Sequence, residues 1–268
     1  MDNEEIKQKL LQIENTDLEF TVVMTGKEST RVNGLYKPDT HEILLHNKNF
    51  KTDMQLIYTA IHEYTHHLLT EEFLAETGGK LPMKGSKVHT AAFWARFHTL
   101  LQKAEELGIY KIDIEESPEL KELTEKIRKE YMEVNGKLMQ EFGKLLAEAH
   151  ALCEKANIRY EDYLDRVLCL PRNTAKDITK LGRVEVNPAL GFDNMKKVAM
   201  LKKTEDRDSA TQAILGGKSP DTVTELMKKA SGNNDPRAKL EKEKNRLTKT
   251  IEALQQRLQY VEESLEQL

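Results

Sequence analysis

The sequence has few cysteines and no long apolar run. Its two cysteines, Cys153 and Cys169, form neither a disulfide framework nor a C-x-x-C pair, and we expect both to be buried as small apolar side chains. No stretch approaches the roughly 18 apolar residues of a membrane span. Residues 1–5 are acidic with no apolar core behind them, which argues against a signal peptide. Together these absences predict a cytoplasmic protein with no membrane partner.

The chain also lacks a strong excess of charge of either sign. Its formal net charge is −4, so its bulk charge is not that of a nucleic-acid binder, and any basic surface has to be local. Apolar residues make up 38% of the sequence and charged residues 32%. This composition is too polar for one compact globule of 268 residues and predicts elongated, solvated helices in part of the chain.

The first 116 residues predict a small α+β domain. A short charged helix at residues 4–14 is followed by alternating apolar and polar residues from Leu18 to Met24, which is typical of a half-buried strand. Two more strands are predicted around residues 35–36 and 42–46, with a turn at 37–40 between them. A helix from about residue 53, a loop at 78–86 and a second helix from near 88 to about 108 complete the domain.

The central motif of this domain is His62-Glu63-Tyr64-Thr65-His66, which reads H-E-x-x-H and lies inside the first predicted helix. Residues four apart lie on the same face of a helix, so His62 and His66 can direct two imidazoles to one point. Glu63 is rotated by about 100° from His62, where its carboxylate can reach a metal-bound water without binding the metal. This is the geometry of a zinc peptidase, in which we expect Tyr64 to belong to the core.

A catalytic zinc ion usually takes three protein ligands and leaves one position for water. The best candidate for the third ligand is His89, at the start of the second helix, with His98 as the alternative histidine. Phe93 and Trp94 can wedge the second helix onto the first while His89 points back to the metal. We expect His67 to be exposed or to support a ligand. The remaining histidines are expected to be solvated: His41, His46 and His150.

Three features in this order resemble the small gluzincin-like metallopeptidases, which include the SprT-like and YgjP-like groups. They are the strand pair from Gly34-Leu35-Tyr36 to Leu45, the H-E-x-x-H motif, and the H-x-x-x-F-W sequence that begins at His89. The resemblance covers about residues 18–110. It implies one catalytic Zn²⁺ ion bound by His62, His66 and His89, with Glu63 as the catalytic base.

The layout is also similar to that of the ImmA-like peptidases, which cleave phage-type repressors. That similarity implies an alternative metal ligand among three downstream glutamates, Glu71, Glu72 and Glu76. One feature departs from the SprT-like pattern. Those proteins often carry a cysteine-rich zinc ribbon after the peptidase domain, and two cysteines cannot build one.

The chemistry that the resemblance implies is metal-assisted hydrolysis of peptide bonds in a protein substrate. Zinc lowers the pKa of its bound water to about 7 and polarises the carbonyl of the bond to be cleaved. Glu63 then acts as general base on the zinc-bound water and returns the proton to the leaving amine.

The second half of the chain is predicted to be helical. Ser117-Pro118 is a helix-start signal, and a long amphipathic helix runs from there to about residue 155. Shorter helices are predicted at 160–168, 173–181, 188–203, 206–215 and 220–229. The stripe expected to be buried on the long helix comprises Leu120, Leu123, Ile127, Val134, Leu138, Phe142, Leu145, Ala149 and Leu152.

The segment from Tyr160 to Leu181 reads as two helices joined by a tight turn, and it resembles a helix-turn-helix of the kind found in phage and mobile-element proteins. Residues 171–203 contain eight Lys or Arg against three Asp or Glu, a local net charge of +5. Duplex DNA is therefore a candidate partner, although a solvated basic face of a plain helical bundle is the alternative. The candidate DNA contacts are Arg172, Asn173, Thr174, Lys176 and Lys180.

The C-terminal residues predict a coiled coil behind a linker at 231–236. Apolar residues recur at spacings of four and three from Leu247 onward, through about four heptads in all. An apolar heptad stripe needs a partner helix. A homodimer through this coiled coil is the simplest arrangement, and folding back onto the chain's own long helix is the alternative.

The sequence thus predicts an α+β metallopeptidase domain at residues 1–116, an all-α helix-turn-helix-like module at 117–230, and a linker with a coiled coil at 231–268. The first functional hypothesis is a zinc metallopeptidase that acts on DNA-associated proteins such as a repressor. The second is a DNA-binding regulator of a mobile element in which the peptidase fold is sensory or inactive. The third is a dimeric scaffold organised by the coiled coil.

Overall fold

A computed structural model describes residues 1–79, 81, 88–230 and 236–266, so most of the predicted loop at 78–86 and the linker at 231–236 lie outside the described residues. The chain divides into two compact units, Met1–Glu225 and Leu226–Leu268. Helices and one small mixed sheet make up the described structure, which agrees with the predicted α+β class. The domain boundaries near residues 116 and 230 stay a prediction.

The three predicted strands form one sheet in the order β1-β3-β2. Strand β1 (Thr21–Met24) pairs in parallel with β3 (Glu42–Leu45), and β2 (Gly34–Lys37) pairs antiparallel with β3. Alternation of side chains across a strand explains why Val22, Ile43 and Leu45 face the core while their neighbours do not. Because β2 pairs only with β3 among the described strands, it is an edge strand of the sheet.

The first two helices pack against the sheet, and a third helix packs on them. Helix α1 (Asn3–Ile13) contributes Ile6, Leu10 and Ile13, all of which are buried. The motif helix α2 (Asp53–Thr77) begins after Thr52, whose side chain accepts a hydrogen bond from the amide of Gln55, and it ends at Gly78 with φ 66°. Helix α3 (Ala91–Glu106) packs across α2. These helices and strands enclose one core.

The long helix is continuous, but its middle segment has π-helical geometry. Helix α4 (Pro118–Lys126) passes through residues Ile127–Glu133 in π-helical geometry into α5 (Val134–Lys155). The prediction for its buried stripe was wrong. Seven of the nine residues of that stripe are exposed large apolar side chains: Leu120, Leu123, Ile127, Val134, Leu138, Leu145 and Leu152.

Two glycines and Leu146 mark the face of α5 that packs, instead of the predicted stripe. Helix α7 (Arg172–Arg183) crosses α5 where Gly143 meets Gly182. A Cβ atom at Gly143 would lie 2.2 Å from the backbone oxygen of Ile178, and one at Gly182 would lie 2.4 Å from the backbone of Gly143. Only glycine permits this approach, so the buried face of α5 combines three small residues, Gly136, Gly143 and Cys153, with one large apolar side chain, Leu146.

The remaining helices of the first unit are short. Helix α6 (Tyr160–Asp162) continues as a π-helical turn at Tyr163–Val167 before α7. The predicted helix at 188–203 is divided by Gly191, at φ 74°, into a 3₁₀ turn at Pro188–Leu190 and helix α8 (Phe192–Ala199). Helices α9 (Thr204–Leu215) and α10 (Pro220–Ala230) follow. Cys153 is buried as expected, but Cys169 is exposed because it lies in the turn before α7 with φ 51°.

The start of α10 returns to the first part of the chain and contacts α3. The Ser219 hydroxyl lies 3.0 Å from Nδ1 of His98, and the Thr222 hydroxyl donates a hydrogen bond of 3.2 Å to the backbone oxygen of Ala95. Val223 is buried at the same place. Helix α3, which carries the aromatic residues beside His89, is thus held from its other side by the helical half.

The second unit consists largely of one helix, α11 (Pro236–Glu266). Its heptad residues Leu247, Ile251, Leu254, Leu258, Val261 and Leu265 are all exposed. The coiled coil and its dimer remain a prediction. In the part of the chain that the structure describes, no helix has the length and apolar character needed to cross a membrane.

Candidate metal centre

Helix α2 brings the first two histidines of the site onto one face. His62 and His66 are one helical turn apart, and their ring centroids are separated by 5.2 Å. His89 comes from the segment just before α3, where the Thr90 side chain caps the helix by accepting a hydrogen bond from the amide of Phe93. His89 therefore precedes the second helix instead of opening it as predicted, and this position lets its ring turn toward α2.

The three imidazoles converge on one point. Nε2 of His89 lies 3.0 Å from Nε2 of His62 and 3.1 Å from Nε2 of His66. Three ring nitrogens cannot all be satisfied by hydrogen bonds to one another, because each neutral ring offers only one N–H. Nitrogens about 2.0–2.1 Å from a tetrahedral ion lie about 3.3 Å apart, close to the separations found here. The donor set fits a metal ion, and His62, His66 and His89 can hold one.

Burial keeps the two helical histidines neutral, as metal ligands must be. Burial, together with the neighbouring His89, lowers the pKa of His62 to about 4. Burial and both neighbouring histidines lower the pKa of His66 to about 3. Near neutral pH both rings therefore present an unprotonated nitrogen to the site.

An aromatic wall backs the three histidines. Phe93 is fully buried, and its ring stacks on His66 with centroids 4.4 Å apart. The indole of Trp94 stacks on His89 at 5.6 Å. Phe97 closes the wall behind His62 at 5.3 Å. The side chains of the predicted aromatic pair, Phe93 and Trp94, therefore lie between the backbone of α3 and the histidines, where they fix the orientation of the imidazole rings.

Glu63 is packed against the edge strand beside the histidines. Only 6% of its surface is exposed. A Cβ atom at Gly34 would lie 2.9 Å from Cγ of Glu63 and 3.0 Å from Oε1, so the carboxylate lies against bare backbone. Burial raises the pKa of Glu63 to about 7, although a hydrogen bond from the backbone of Tyr36 acts in the opposite direction. A carboxyl group in this state can both accept and give up a proton near neutral pH.

A cleft of about 700 Å³ opens over these residues. It is bounded by strand β2, by the face of α2 that carries the histidines, and by Leu81 and Val88. The lining residues include Gly34, Leu35, Tyr36, Tyr58, Thr59 and Val88, together with the three histidines and Glu63. The candidate metal centre therefore lies in a groove large enough for several side chains of a bound chain.

The free edge of β2 faces this groove. The amide of His46 donates to the backbone oxygen of Asn33 at 2.9 Å, which makes Asn33 and His46 a hydrogen-bonded pair of the antiparallel ladder. Because such pairs alternate, the backbone groups of Gly34 and Tyr36 point away from β3. The hydrogen bond from the Tyr36 backbone to Glu63 agrees with this direction. The backbone of Gly34 and the carbonyl of Tyr36 remain at the free edge.

His67 is not exposed, contrary to one of the two expectations for it. It is fully buried, and its Nε2 lies 3.1 Å from the backbone oxygen of Leu18. A carbonyl only accepts, so Nε2 carries the proton and Nδ1 accepts from the Tyr36 hydroxyl at 3.2 Å. The Tyr36 hydroxyl also contacts Nδ1 of His41 at 3.1 Å. This network ties α2 to β2 directly behind Glu63.

The other histidines and Tyr64 lie away from the metal centre. His98 faces Ser219, and Nδ1 of His46 lies 3.0 Å from the hydroxyl of Thr25. His41, His46 and His150 are all half-buried, so the expectation that they are solvated was wrong; the first two are also hydrogen-bonded, and the ring of His150 packs against Tyr160. Tyr64 is fully buried in the core as expected.

The three glutamates considered as alternative ligands do not join the histidines in the described structure. Glu71 holds the loop after α1, accepting hydrogen bonds from the Thr16 hydroxyl and the Asp17 amide at 2.6 and 2.8 Å. Glu72 lies 3.4 Å from the guanidinium of Arg96. Glu76 is exposed near the end of α2.

The candidate DNA-binding residues begin helix α7, and three of them share one face. Arg172, Lys176 and Lys180 follow one another at intervals of four, within about 80° around the helix axis. Arg183, which the sequence reasoning did not single out, continues this row. Asn173 lies beside it, and Thr174 lies about 200° from Arg172. Arg172 is paired with Asp165.

Gly34 and Tyr36 are the site residues whose roles the sequence reasoning missed. Both were noted as part of a resemblance, but not as contacts of Glu63. A glycine inside a strand pattern is a signal for a close approach of another group to the backbone. That signal was present at Gly34 and would have pointed to a side chain packed on β2.

Comparisons of the chain with protein-family models, curated proteins and solved structures find no match. The functional conclusion therefore depends on the geometry of the metal centre and its cleft.

Proposed function

We propose that this protein is a zinc-dependent metallopeptidase that hydrolyses peptide bonds in protein substrates. The observation that carries the proposal is the convergence of His62, His66 and His89 beside the buried carboxyl group of Glu63, in a cleft bounded by a strand edge. The order of these residues resembles that of the SprT-like and YgjP-like metallopeptidases, which supports the same conclusion.

Zinc is the metal that the donor set favours. Three neutral imidazole nitrogens with room for one more ligand are typical of a catalytic zinc centre. When bound, such an ion supplies Lewis acidity toward water and toward a carbonyl group. His62, His66 and His89 would hold it, and the aromatic wall would keep their rings oriented.

Glu63 is the residue we assign to proton transfer. Its carboxylate lies one residue from His62 and is held by the backbone of β2, so its position is fixed before substrate binds. It takes a proton from the attacking water and delivers it to the nitrogen of the leaving amine. A pKa raised to about 7 suits a group that must both accept and return a proton near neutral pH.

The free edge of β2 supports a polypeptide as the substrate. An extended chain can pair with the backbone of Gly34 and with the carbonyl of Tyr36, as peptides do when they add a strand to an exposed sheet edge. A chain bound there runs past Glu63 and the three histidines. Small molecules without a backbone would not use these groups.

The test compares wild type with Glu63→Gln and His89→Ala after loading with zinc. We expect wild type and Glu63→Gln to bind one zinc ion, and His89→Ala to bind less, in elemental analysis of dialysed protein. Only wild type should cleave a denatured protein such as β-casein. An unchanged cleavage rate in Glu63→Gln, or full zinc retention in His89→Ala, would contradict the proposal.

DNA association is a second candidate property, favoured by the basic row on α7. Arg172, Lys176, Lys180 and Arg183 share one helix face and line a groove of about 640 Å³ with His150 and Tyr160. This row supports both a peptidase directed to DNA-associated proteins and the alternative of a DNA-binding regulator with a sensory or inactive peptidase fold.

A gel-shift or anisotropy titration with duplex DNA at low and moderate salt tests this property. We expect Lys176→Ala with Lys180→Ala to weaken binding and to reduce its salt dependence. The matched control replaces two lysines of α4 that lie outside this row, Lys121→Ala with Lys126→Ala. No binding at low salt, or equal loss in the control, would remove DNA as a partner.

We also propose a homodimer through α11, because its exposed apolar heptads need a partner helix. Sedimentation equilibrium of the full chain and of a chain ending at residue 230 tests this. A monomeric full chain would contradict it.

A further inference from the structure

We propose that the cleft selects extended protein segments that carry bulky apolar side chains next to the bond to be cleaved. Such segments are exposed only in unfolded or locally unfolded proteins, because folded proteins bury them. This inference rests on the peptidase activity proposed above and specifies the substrate class of the same site.

The exposed apolar side chains of the first part of the chain are concentrated at this cleft. Among the described residues of 1–116, eight large apolar side chains are exposed, and five of them line the cleft. These five define what we call the apolar rim: Val32, Leu35, Tyr58, Leu81 and Val88. Exposed apolar groups gathered around one groove mark a surface that binds a partner.

The apolar rim lies directly beside the reacting groups. Tyr58 is one helical turn before His62 on α2, so it continues the row formed by His62 and His66. Val88 is the residue immediately before His89. Leu35 lies between Gly34 and Tyr36 on the edge strand that would pair with a bound chain. A side chain of the substrate next to the cleaved bond would therefore meet apolar surface.

The charges of the cleft also favour apolar side chains in the substrate. Its described lining contains the carboxyl groups of Asp39 and Glu63 but no lysine or arginine. Among these described residues, an acidic side chain of a substrate would meet no cation other than a bound metal, and it would lose hydration. Apolar side chains instead exchange water contact for contact with the rim, which is favourable.

Two features together exclude most folded proteins as substrates. Pairing with the edge of β2 requires a substrate backbone whose own hydrogen-bonding groups are free, and the rim requires apolar side chains that face outward. A segment of a folded domain rarely offers both, because its backbone groups are paired and its large apolar side chains are buried.

The first experiment maps cleavage sites in denatured β-casein by mass spectrometry with the zinc-loaded full chain. We expect cleavage next to Leu, Ile, Val, Phe or Met to exceed cleavage next to Ser, Asp or Glu by about tenfold to a hundredfold. In Leu35→Ser and Val88→Ser this preference should fall toward unity at unchanged zinc content. The matched controls, Leu107→Ser and Ile112→Ser, replace exposed apolar residues that do not line the cleft and should keep it.

The second experiment needs no catalysis. Fluorescein-labelled Ser-Gly-Leu-Phe-Gly-Ser and Ser-Gly-Ser-Ser-Gly-Ser are titrated with zinc-loaded Glu63→Gln, and binding is followed by anisotropy. We expect the apolar peptide to bind at least tenfold more tightly, and Leu35→Ser or Val88→Ser in the same background to remove the difference.

The outcomes separate this inference from the activity it rests on. Cleavage without apolar preference, or a preference that the rim variants retain, overturns the substrate class and leaves the peptidase intact. Absence of cleavage in a zinc-loaded wild type overturns the peptidase, while the binding experiment still decides what the cleft recognises. Equal binding of both peptides would overturn the inference regardless of activity.

Discussion

Gly34 and Glu63 are in contact in a way that only glycine permits. A Cβ atom at position 34 would lie 2.9 Å from Cγ of Glu63 and 2.8 Å from Cγ2 of Thr59. Contacts this short force one of the groups to move. The edge strand and the proposed proton-transfer residue are thus fitted to each other, and the carboxylate depends on the absence of a side chain on β2.

Gly34→Ala should therefore displace Glu63 while the metal centre stays intact. We expect kcat on denatured casein to fall by about tenfold to a hundredfold, since small displacements of a catalytic group have effects of this size. Zinc content should not change, because none of the three histidines contacts Gly34 in the same way. Steady-state kinetics and elemental analysis measure the two quantities.

Thr59→Ser provides the control, because it removes Cγ2 of Thr59. This methyl group lies nearer than Cγ of Glu63 to a Cβ atom at position 34. Combined with Gly34→Ala it should restore part of the lost activity, while Thr59→Ser alone should have little effect. A Gly34→Ala protein with wild-type kcat would contradict the proposed role of this contact.

Tyr36 contributes to the site through its backbone, and its hydroxyl has a different role. The hydroxyl joins His67 and His41, and burial raises its pKa to about 12, so it remains protonated. Tyr36→Phe keeps the backbone contact to Glu63 but leaves Nδ1 of His67 without a donor. We expect the free energy of unfolding to fall by about 1–3 kcal/mol.

Thermal or urea unfolding measures this loss, and kcat should stay within about threefold of wild type. A large loss of kcat in Tyr36→Phe at full zinc content would assign the hydroxyl to the reaction itself.

The metal centre could be predicted from the sequence to a greater extent than the helical half. The spacing of His62 and His66 fixes their common face on any α-helix, side-chain alternation located β1, and the turn at 37–40 between two apolar segments located β2 and β3. The long helix was misread because large apolar residues were assumed to be the buried ones. Its closest contacts are made by Gly136 and Gly143, beside the buried Leu146, and hydrophobicity carries no signal for packing that depends on missing side chains.

The buried ring of His67 predicts a dependence of stability on pH. Burial lowers the pKa of His67 to about 4, below its ordinary value of 6.5. Between these values the unfolded chain binds a proton that the folded chain does not, so stability is full above pH 6.5 and falls as the pH approaches 4. The loss from this residue alone is on the order of 3 kcal/mol.

Urea unfolding of metal-free wild type and His67→Gln at several pH values isolates this contribution. The variant should be less stable at pH 7.5, and its stability should depend less on pH between 6.5 and 4. His62 and His66 add to the same trend, and Glu63 opposes it, but all three are present in both proteins. Equal slopes for His67→Gln and wild type would contradict the assignment.

The crossing of α5 and α7 can be tested against the exposed stripe on the same helix. Gly143→Ala places a methyl group 2.2 Å from the backbone oxygen of Ile178, and overpacking of this kind costs about 1–3 kcal/mol. Leu145 is 62% exposed, so Leu145→Ala should change the free energy of unfolding by less than about 0.5 kcal/mol. Helix propensity alone predicts the opposite sign at position 143, because alanine is favoured over glycine by about 1 kcal/mol. A more stable Gly143→Ala, or a strongly destabilised Leu145→Ala, in urea unfolding would show that the large apolar stripe and not the glycine face carries the packing.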